Sequence, residues 1–502
     1  MPYLSFSLFE MGIIKRQSIK SSIVIYVGVI FGFVTQTILF PSYFTTEQVG
    51  LVAFILASVN IISAFVQFGM PNTIIRFRPQ IKQQGSENRF IRYSLLVPSF
   101  FLVVVFSGLF LLSDWLIEGY FSNVAQLDFY YPFIGFLVFC LTFFGVWSAH
   151  SRSLLRIVIP NLLDIVITRT LLVLLMLLYL LNLVDFEEFM IGYVLIYVTI
   201  LISIVIYVNK LNPVKMGGCE PPIGKPLIMK MLTFGGLSFL TVMGDQIINN
   251  IDVIMVTNMI DLNAAGIYKT TYYMGAIIAV PMNSLGQIVS PIYAEAWHKN
   301  DLNKINEVYK KSAINLSIIG LLLFVGVYIN ADNIFLMMPK NGEIYSVGRD
   351  VIVLIAFGKF FSMLLGINSQ LIANSKYYYV NLISIVILAV LTIVTNYLFI
   401  PEYGIVGAAF ASVLSLVVFN LIKLFFIGFQ FKMYPFSVKT LVIIALGITL
   451  LGVNHLLPTL DNVFADSAYR SILITVILIV VVYFGKISDD VNAIINKVLA
   501  RR

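Results

Sequence analysis

Long apolar stretches recur along the whole sequence, and they restrict its fold more than any other feature. A helix needs about 20 apolar residues to cross a bilayer, and most stretches approach or exceed that length. The chain is 59% hydrophobic and only 11% charged, against roughly 25% charged in soluble proteins. A membrane β-barrel would show short alternating segments instead. We therefore predict an all-α polytopic membrane protein with about fourteen transmembrane helices, at residues 21–40, 49–68, 93–112, 130–149, 157–180, 189–207, 231–257, 266–289, 313–329, 351–372, 379–399, 405–426, 438–457 and 471–485.

Lysine and arginine are distributed unevenly between the two sides of these spans. Of the 32 Lys and Arg residues, 26 are assigned to one side, with clusters at 76–92, 299–311 and 486–502. Cytoplasmic loops of membrane proteins carry such an excess, so both termini are predicted to be cytoplasmic. The net charge of +7 is then a topology signal, and no nucleic-acid partner is predicted. The residues assigned to the outer side are Lys269, Lys340, Arg349 and Arg470.

Two parts of the sequence resemble each other. Residues 28–50 and 244–266 each combine an apolar span, a short turn and a glycine at the same separation, and a weaker copy lies at 401–407. Parallel repeats of this kind build transporters from two lobes, although a glycine after a turn is also common in unrelated helix pairs. The repeat predicts two six-helix lobes followed by two appended helices, with divisions at residues 1–210, 211–430 and 431–502.

The seventh span carries polar residues in the middle of an apolar segment. Asp245, Asn249 and Asp252 recur at helical spacing and share one face. Carboxyl groups facing lipid are costly, so this face is predicted to contact protein or a water-filled cavity. For each amide, hydrogen bonding between helices is the alternative to ligand contact. The first, second and eighth spans would add further amides to a polar cleft, namely Gln36, Asn60, Gln67, Asn283 and Gln287.

Four short motifs resemble those of one family. They are the turn after the first span at 39–51, the exit of the second at 68–77, the join of the seventh and eighth at 250–268, and the join of the eleventh and twelfth at 400–409. In these stretches and in topology, the chain resembles the oligosaccharide-lipid flippases of the multidrug/oligosaccharidyl-lipid/polysaccharide exporter superfamily.

The resemblance implies a V-shaped pair of six-helix bundles around a central cavity with alternating access. It implies transport of an undecaprenyl-diphosphate-linked oligosaccharide, such as an O-antigen, capsule or exopolysaccharide repeat unit, across the bacterial inner membrane. A cation-coupled multidrug antiporter and a peptidoglycan-precursor flippase of the same superfamily remain alternatives. The predicted partners are the lipid-linked oligosaccharide and membrane lipids, and glycan polymerase or assembly proteins are left open.

Two basic residues lie deep within predicted spans, Arg169 in the fifth and Lys359 in the tenth. A cation at such depth costs about 3 kcal/mol or more unless it meets an anion or water. A diphosphate headgroup is such an anion, and a guanidinium binds phosphate oxygens bidentately. The alternative is ion pairing, of Arg169 with Asp164 or of Lys359 with Asp245 or Asp252. Within one helix, Asp164 and Arg169 are poorly spaced for a pair.

The remaining acidic groups and several absences complete the expectations. Asp164 is a candidate for an inner gate, while Asp245 and Asp252 could contact sugar hydroxyls or carry the proton or Na⁺ that drives transport. The sequence contains no phosphate-binding loop, and its three histidines are widely separated, so no cofactor and no metal site are predicted. No predicted loop is long enough for the outer domain of a membrane glycosyltransferase or polymerase, so we predict no enzyme activity.

Overall fold

The computed structural model describes residues 24, 27, 28, 30–121, 124, 127–213, 220–454 and 456–499. The start of the first predicted span, Cys219 and His455 lie outside these residues. Within this part of the chain all regular structure is helical, as the apolar runs predicted. The helices are α1 Thr46–Gln67, α2 Met70–Gln84, α3 Glu87–Leu111, α4 Leu127–Ser153, α5 Val158–Leu180, α6 Phe186–Leu211, α7 Lys225–Met259, α8 Leu262–His298, α9 Leu302–Leu336, α10 Arg349–Leu364, α11 Asn368–Ala373, α12 Tyr378–Phe431, α13 Val438–Asn454, α14 Val463–Phe484 and α15 Asp489–Leu499.

The predicted polytopic membrane fold is confirmed. Among the described residues, ten helical segments are long and apolar enough to cross a membrane, and α13 is a shorter apolar helix. One of the ten is α12, which comprises two helices over the predicted spans 379–399 and 405–426, and Thr395 of the first contacts Ser415 of the second, with their hydroxyl oxygens 3.2 Å apart. The two halves meet at a kink at Gly404, where φ is 58° and ψ is −136°. Glycine adopts this backbone conformation without the steric penalty of a β-carbon.

The second span was expected to end in a loop. In the structure its helix breaks at Phe68 and Gly69, and a further helix follows directly. Phe68 and Gly69 have φ values of 45° and 66°, and the chain then forms α2. A β-carbon at Gly69 would lie 2.2 Å from the carbonyl oxygen of Gly235, so a larger residue would clash with α7. The basic cluster that begins at Arg76 is therefore partly a helical extension and not the predicted inner loop.

Other interruptions lie inside predicted spans. The tenth span is broken between α10 and α11, with Gly366 at a φ of 65°. In α8, a 3₁₀ turn at Ile277–Ala279 directly precedes Val280 and Pro281. In α5, Leu162–Ile167 forms π-helix directly after Pro160. Single-turn π segments occur often at functional sites, and this one contains Asp164.

The described chain forms two compact units. The first contains the described residues up to Leu39 together with Leu51–Leu262, and the second contains Phe40–Gly50 and the described residues from Asn263 onward. These units are defined by packing, and they group α7 with the first unit. The lobes defined by the sequence repeat stay a prediction.

Each unit has its own apolar core. In the first, buried Ile74 and Phe77 of α2 pack with Phe90 of α3, Val146 of α4 and Met231 of α7. In the second, the core connects α8 through α10 with α12, α13 and α14, and it includes the fully buried Tyr293 and Tyr309, together with Phe360, Ile427, Leu446 and Leu478. The two appended helices α13 and α14 are thus packed against α9.

The repeated glycines of the sequence are in contact within the second unit. A β-carbon at Gly266 would lie 2.1 Å from the carbonyl oxygen of Thr46 and 2.9 Å from the backbone nitrogen of Gly50. The Thr46 hydroxyl also donates to the Asn263 side-chain oxygen at 2.6 Å. Close backbone approach explains why a glycine is required at Gly266.

Candidate functional site

Arg169 lies in the first unit, two residues after the π segment of α5. Its side chain is half-buried, and its guanidinium lies beside Gly32, where a β-carbon would be 3.8 Å from Cζ. A side chain larger than glycine would begin to fill the space beside the guanidinium. Among the described residues, Arg169 forms no salt bridge within 4 Å. The direct ion pair with Asp164 is therefore not formed.

Asp164 lies between two arginines of the first unit. Its side chain is exposed, and electrostatic attraction links it to Arg152 at the end of α4 and, more weakly, to Arg169. The π segment places Asp164 on this surface one turn before Arg169. Two cations and one carboxylate leave the group with one net positive charge.

The polar face of α7 divides into an exposed part and a buried part. Asp245 and Asn249 are exposed, and the Asn249 amide donates to the backbone oxygen of Asp245 at 2.8 Å. Asp252 is only 3% exposed. The predicted single face therefore offers solvent an acid and an amide, while Asp252 lies within the packed part of the unit.

The amides of α1 bond to neighbouring helices. The Asn60 amide lies 3.5 Å from the side-chain oxygen of Asn250 in α7, and the Gln67 amide donates to the backbone oxygen of Leu141 in α4 at 3.3 Å. Gln36 is half-buried in the π turn Thr35–Leu39. In this structure Asn60 and Gln67 thus make the interhelical bonds that were the alternative to ligand contact.

The second unit brings two lysines to one aromatic ring. The Lys359 ammonium of α10 lies 5.8 Å from the centre of the Tyr272 ring, and that of Lys269 lies 5.7 Å from the same centre. Lys269 is also 5.0 Å from the centre of Tyr273. Neither ammonium forms a salt bridge with any carboxylate of the described residues. The pair is a positively charged site with aromatic walls.

Asn283 and Gln287 lie on α8 beyond its 3₁₀ turn. Both are exposed and one helical turn apart. Between them, Gly286 approaches Gln370 of α11 so closely that a β-carbon would lie 2.7 Å from the Gln370 amide nitrogen. Asn283 and Gln287 are therefore available to a ligand in the second unit. Among the described residues, no group of His, Cys, Asp and Glu side chains could hold a metal ion.

The amino-acid sequence matches two models of known protein families. The family model described as polysaccharide biosynthesis protein matches residues 14–297, and the model described as MatE matches residues 238–398. The chain belongs to the polysaccharide biosynthesis protein family. Members of its superfamily, which also contains the multidrug transporters, are flippases and transporters and not enzymes.

Known proteins are similar to this chain, in sequence or in structure, over most of its length. An uncharacterized membrane protein of Methanocaldococcus jannaschii is 23% identical, over 92% of this chain and 94% of the relative. The lipid II flippase MurJ in an inward closed conformation has a TM-score of 0.74 at 16% identity, covering 93% of this chain and all of MurJ. An inward-facing multidrug transporter of the MATE family has a TM-score of 0.64 at 13% identity, covering 83% and 98%. At these identities the likeness to solved structures establishes the fold.

Sequence reasoning did not single out one cation of this polysaccharide biosynthesis family member. Lys269 was assigned to the outer side, and it is the eighth residue of α8, about 10 Å along the helix at ~1.5 Å per residue. The predicted start of the eighth span at residue 266 already placed Lys269 inside a helix. That position was the available signal, and the pairing with Lys359 through Tyr272 was not predictable without the fold.

Lys423 was not singled out either, although it lies within the predicted span 405–426 and was counted among the 26 basic residues of the predicted cytoplasmic side. It lies inside α12 and is 1% exposed. Its ammonium donates to the Ser369 hydroxyl at 2.7 Å and lies 3.5 Å from the centre of the Phe419 ring. Among the described residues no carboxylate lies within salt-bridge distance. A hydroxyl and a cation–π contact thus replace the counter-charge that a buried ammonium normally requires.

Proposed function

We propose that the chain is a flippase for polyprenyl-diphosphate-linked oligosaccharide, working by alternating access in the bacterial inner membrane with both termini in the cytoplasm. The carrier lipid would be undecaprenyl diphosphate, and the glycan an O-antigen, capsule or exopolysaccharide repeat unit. The observation that carries this proposal is that each unit presents cations without a salt-bridged carboxylate, namely Arg169 in the first and the Lys269–Lys359 pair in the second.

The charge of these sites suits a diphosphate. A diphosphate diester carries about two negative charges, and a guanidinium binds phosphate oxygens through two parallel hydrogen bonds. Arg169 is half-buried, so its interaction with an anion is screened by water less than that of a surface arginine. In the second unit, Lys269 and Lys359 would provide two point charges for the same headgroup. Alternating access would open the headgroup site first to one side of the membrane and then to the other.

The exposed polar groups suit the glycan. Asn249, Asn283 and Gln287 can donate to and accept from sugar hydroxyls, and the Tyr272 and Tyr273 rings offer faces for the apolar side of a sugar ring. The polyprenyl tail would remain in the surrounding lipid. Asp245 and Asp252 are our candidates for the groups that couple transport to a proton or Na⁺ gradient.

The alternatives differ in how well they fit these charges. A cationic drug would be repelled by Arg169, Lys269 and Lys359, which disfavours a multidrug antiporter. A peptidoglycan-precursor flippase is the second candidate, because the fold neighbour MurJ is described as a lipid II flippase. Glycan polymerase and assembly proteins are the partners that we propose would receive the flipped product.

The proposal can be tested in cells that lack the gene. We expect lipid-linked oligosaccharide to accumulate in the inner leaflet and surface polysaccharide to be lost, with both restored by the intact gene but not by Arg169→Ala. Lys310→Gln, which changes an exposed lysine on the predicted cytoplasmic side, should complement fully. Accumulation of peptidoglycan precursor instead would favour the second candidate. Normal glycan distribution with raised sensitivity to cationic drugs would contradict the proposal.

A further inference from the structure

A polar cavity lies in the second unit, at the ends of α8, α11 and α12 on the predicted cytoplasmic side. Its volume is about 530 Å³, within the roughly 300–1,000 Å³ typical of small-molecule sites. It contains none of the residues that we assign to transport. Its walls are aromatic, basic and amide side chains, and no Asp or Glu lines it.

The aromatic walls of this cavity are held in place by the surrounding protein. The indole nitrogen of Trp297 donates to the backbone oxygen of Leu371 at 3.1 Å, and its ring lies 4.9 Å from that of Phe431. The Tyr377 ring lies 5.8 Å from Phe431, and its hydroxyl accepts from the Gln430 amide at 2.8 Å. A ligand would therefore meet walls that are already ordered, which reduces the entropy lost on binding.

The charge of the cavity is positive. The ammonium of Lys376 is exposed and lies 5.0 Å from the centre of the Tyr377 ring, and it has no salt bridge with any described carboxylate. His298 is a second basic group in the lining. The adjacent Glu295 is paired with Lys299 at 2.5 Å, so it does not neutralise Lys376. An anion is the complementary ligand.

The remaining polar atoms suit hydroxyl groups. The Asn374 amide nitrogen donates to the Ser290 hydroxyl at 3.1 Å and to the backbone oxygen of Gln370 at 2.8 Å. Its side-chain oxygen therefore remains as an acceptor. The Gln430 amide nitrogen donates to Tyr377, which leaves the Gln430 oxygen as a second acceptor and the Tyr377 O–H as a donor.

We propose that this cavity binds a phosphate ester that carries hydroxyl groups, with Lys376 on the phosphate and Asn374 and Gln430 on the hydroxyls. The same chemistry is found in the headgroup of an anionic glycerophospholipid and in a soluble glycerol or sugar phosphate. The cavity joins the ends of α8 and α11, and α8 also carries Lys269. Binding there would therefore hold the end of the helix on which Lys269 lies against α11.

The chain has three tryptophans, and one of them is a built-in probe. Full-length protein labelled with 5-fluorotryptophan and placed in phosphatidylcholine nanodiscs should give three ¹⁹F resonances, and Trp297→Phe assigns the one from the cavity. Titration with sn-glycerol 3-phosphate or glucose 1-phosphate tests the soluble source. Nanodiscs with a rising fraction of phosphatidylglycerol test the lipid source. Trp115 and Trp147, both in the first unit, are internal references.

We expect a saturable shift of the Trp297 resonance alone in one of the two arms, and the responding arm identifies the source. Lys376→Gln should weaken the apparent affinity about tenfold or more, because a charge-assisted hydrogen bond is lost. Lys376→Arg and the surface control Lys310→Gln should bind like the wild type. No movement of Trp297 in either arm, or equal affinities of Lys376→Gln and the wild type, would overturn the proposal. Neither result depends on flippase activity.

Discussion

A buried ion pair at the start of α14 gives the sharpest prediction about stability. Asp466 and Arg470 are 5% and 6% exposed and their Oδ2 and Nε atoms are 2.7 Å apart. Asp466 also accepts from the Asn333 amide at 2.7 Å and from the backbone nitrogen of Leu460 at 3.0 Å. Arg470 in turn donates to the Asn454 side-chain oxygen at 2.7 Å. The network thereby joins α9, α13 and α14.

Asp466→Ala would leave the Arg470 charge buried without its carboxylate. Removing one partner of a buried pair typically destabilises by about 3–5 kcal/mol. The entropy of unfolding scales with chain length, so each kcal/mol corresponds to roughly 1 °C for a chain of this size. We therefore expect the thermal midpoint of the detergent-purified protein to fall by about 3–5 °C. Tryptophan fluorescence during heating measures this midpoint.

Two matched variants separate the stranded charge from other effects. Asp461→Ala removes an exposed carboxylate of the same outer segment and should leave the midpoint unchanged. Asp466→Leu combined with Arg470→Met removes both charges and should recover much of the loss, because apolar replacement of a buried pair is often neutral. If Asp466→Ala has the same thermal midpoint as Asp461→Ala and the wild type, the reasoning is refuted.

Three further predictions follow from individual contacts. Lys423→Met removes a buried ammonium that has no counter-charge among the described residues, so the free energy of unfolding should stay unchanged or rise by about 1–3 kcal/mol. A fall of that size in a urea titration would contradict this. Burial alone would raise the pKa of Glu220, but hydrogen bonds from the backbone nitrogens of Asn88 and Arg89 and from the Asn88 amide outweigh it and lower that pKa. These bonds should be intact above the ordinary pKa of about 4.3 and be lost as pH falls through the lowered folded pKa. The protection factor of the Arg89 amide, its exchange rate relative to an unfolded peptide at the same pH, should therefore fall in acid in the wild type and should already be low at neutral pH in Glu220→Gln. Lys359→Gln should weaken binding of a soluble diphosphate headgroup analogue about tenfold in calorimetry, with Lys310→Gln as the unaffected control.

The helices were largely predictable, because apolar length is a property of the chain itself, whereas the sidedness read from the basic residues stays a prediction. The helix breaks inside the predicted spans were less predictable. The turn at Phe68 and Gly69 depends on the contact with Gly235, which is distant in sequence. The sharp kink at Gly404, where two predicted spans meet, depends on a backbone conformation that tertiary packing selects.

The candidate sites were predictable as residue types and not as groupings. Arg169 and Lys359 could be identified from the sequence because a cation inside an apolar span is energetically costly unless it meets an anion or water. Their neighbours in the structure could not be identified in this way. Arg152 and Lys269 lie near predicted span ends, where positive charge is ordinary, and the structure alone brings them near Asp164 and Tyr272. The cavity at Trp297 combines three helix ends and has no signature in the sequence.

The most direct test of the flippase proposal is translocation by the purified protein. Proteoliposomes would contain a fluorescent polyprenyl-diphosphate oligosaccharide, and a membrane-impermeant quencher would report the fraction in the outer leaflet over time. We predict translocation by the wild type and by Lys310→Gln, at least tenfold slower translocation by Arg169→Ala, and partial recovery in Arg169→Lys. Absence of translocation by the folded wild type under proton, Na⁺ and voltage gradients, or equal rates for Arg169→Ala and the wild type, would contradict the account.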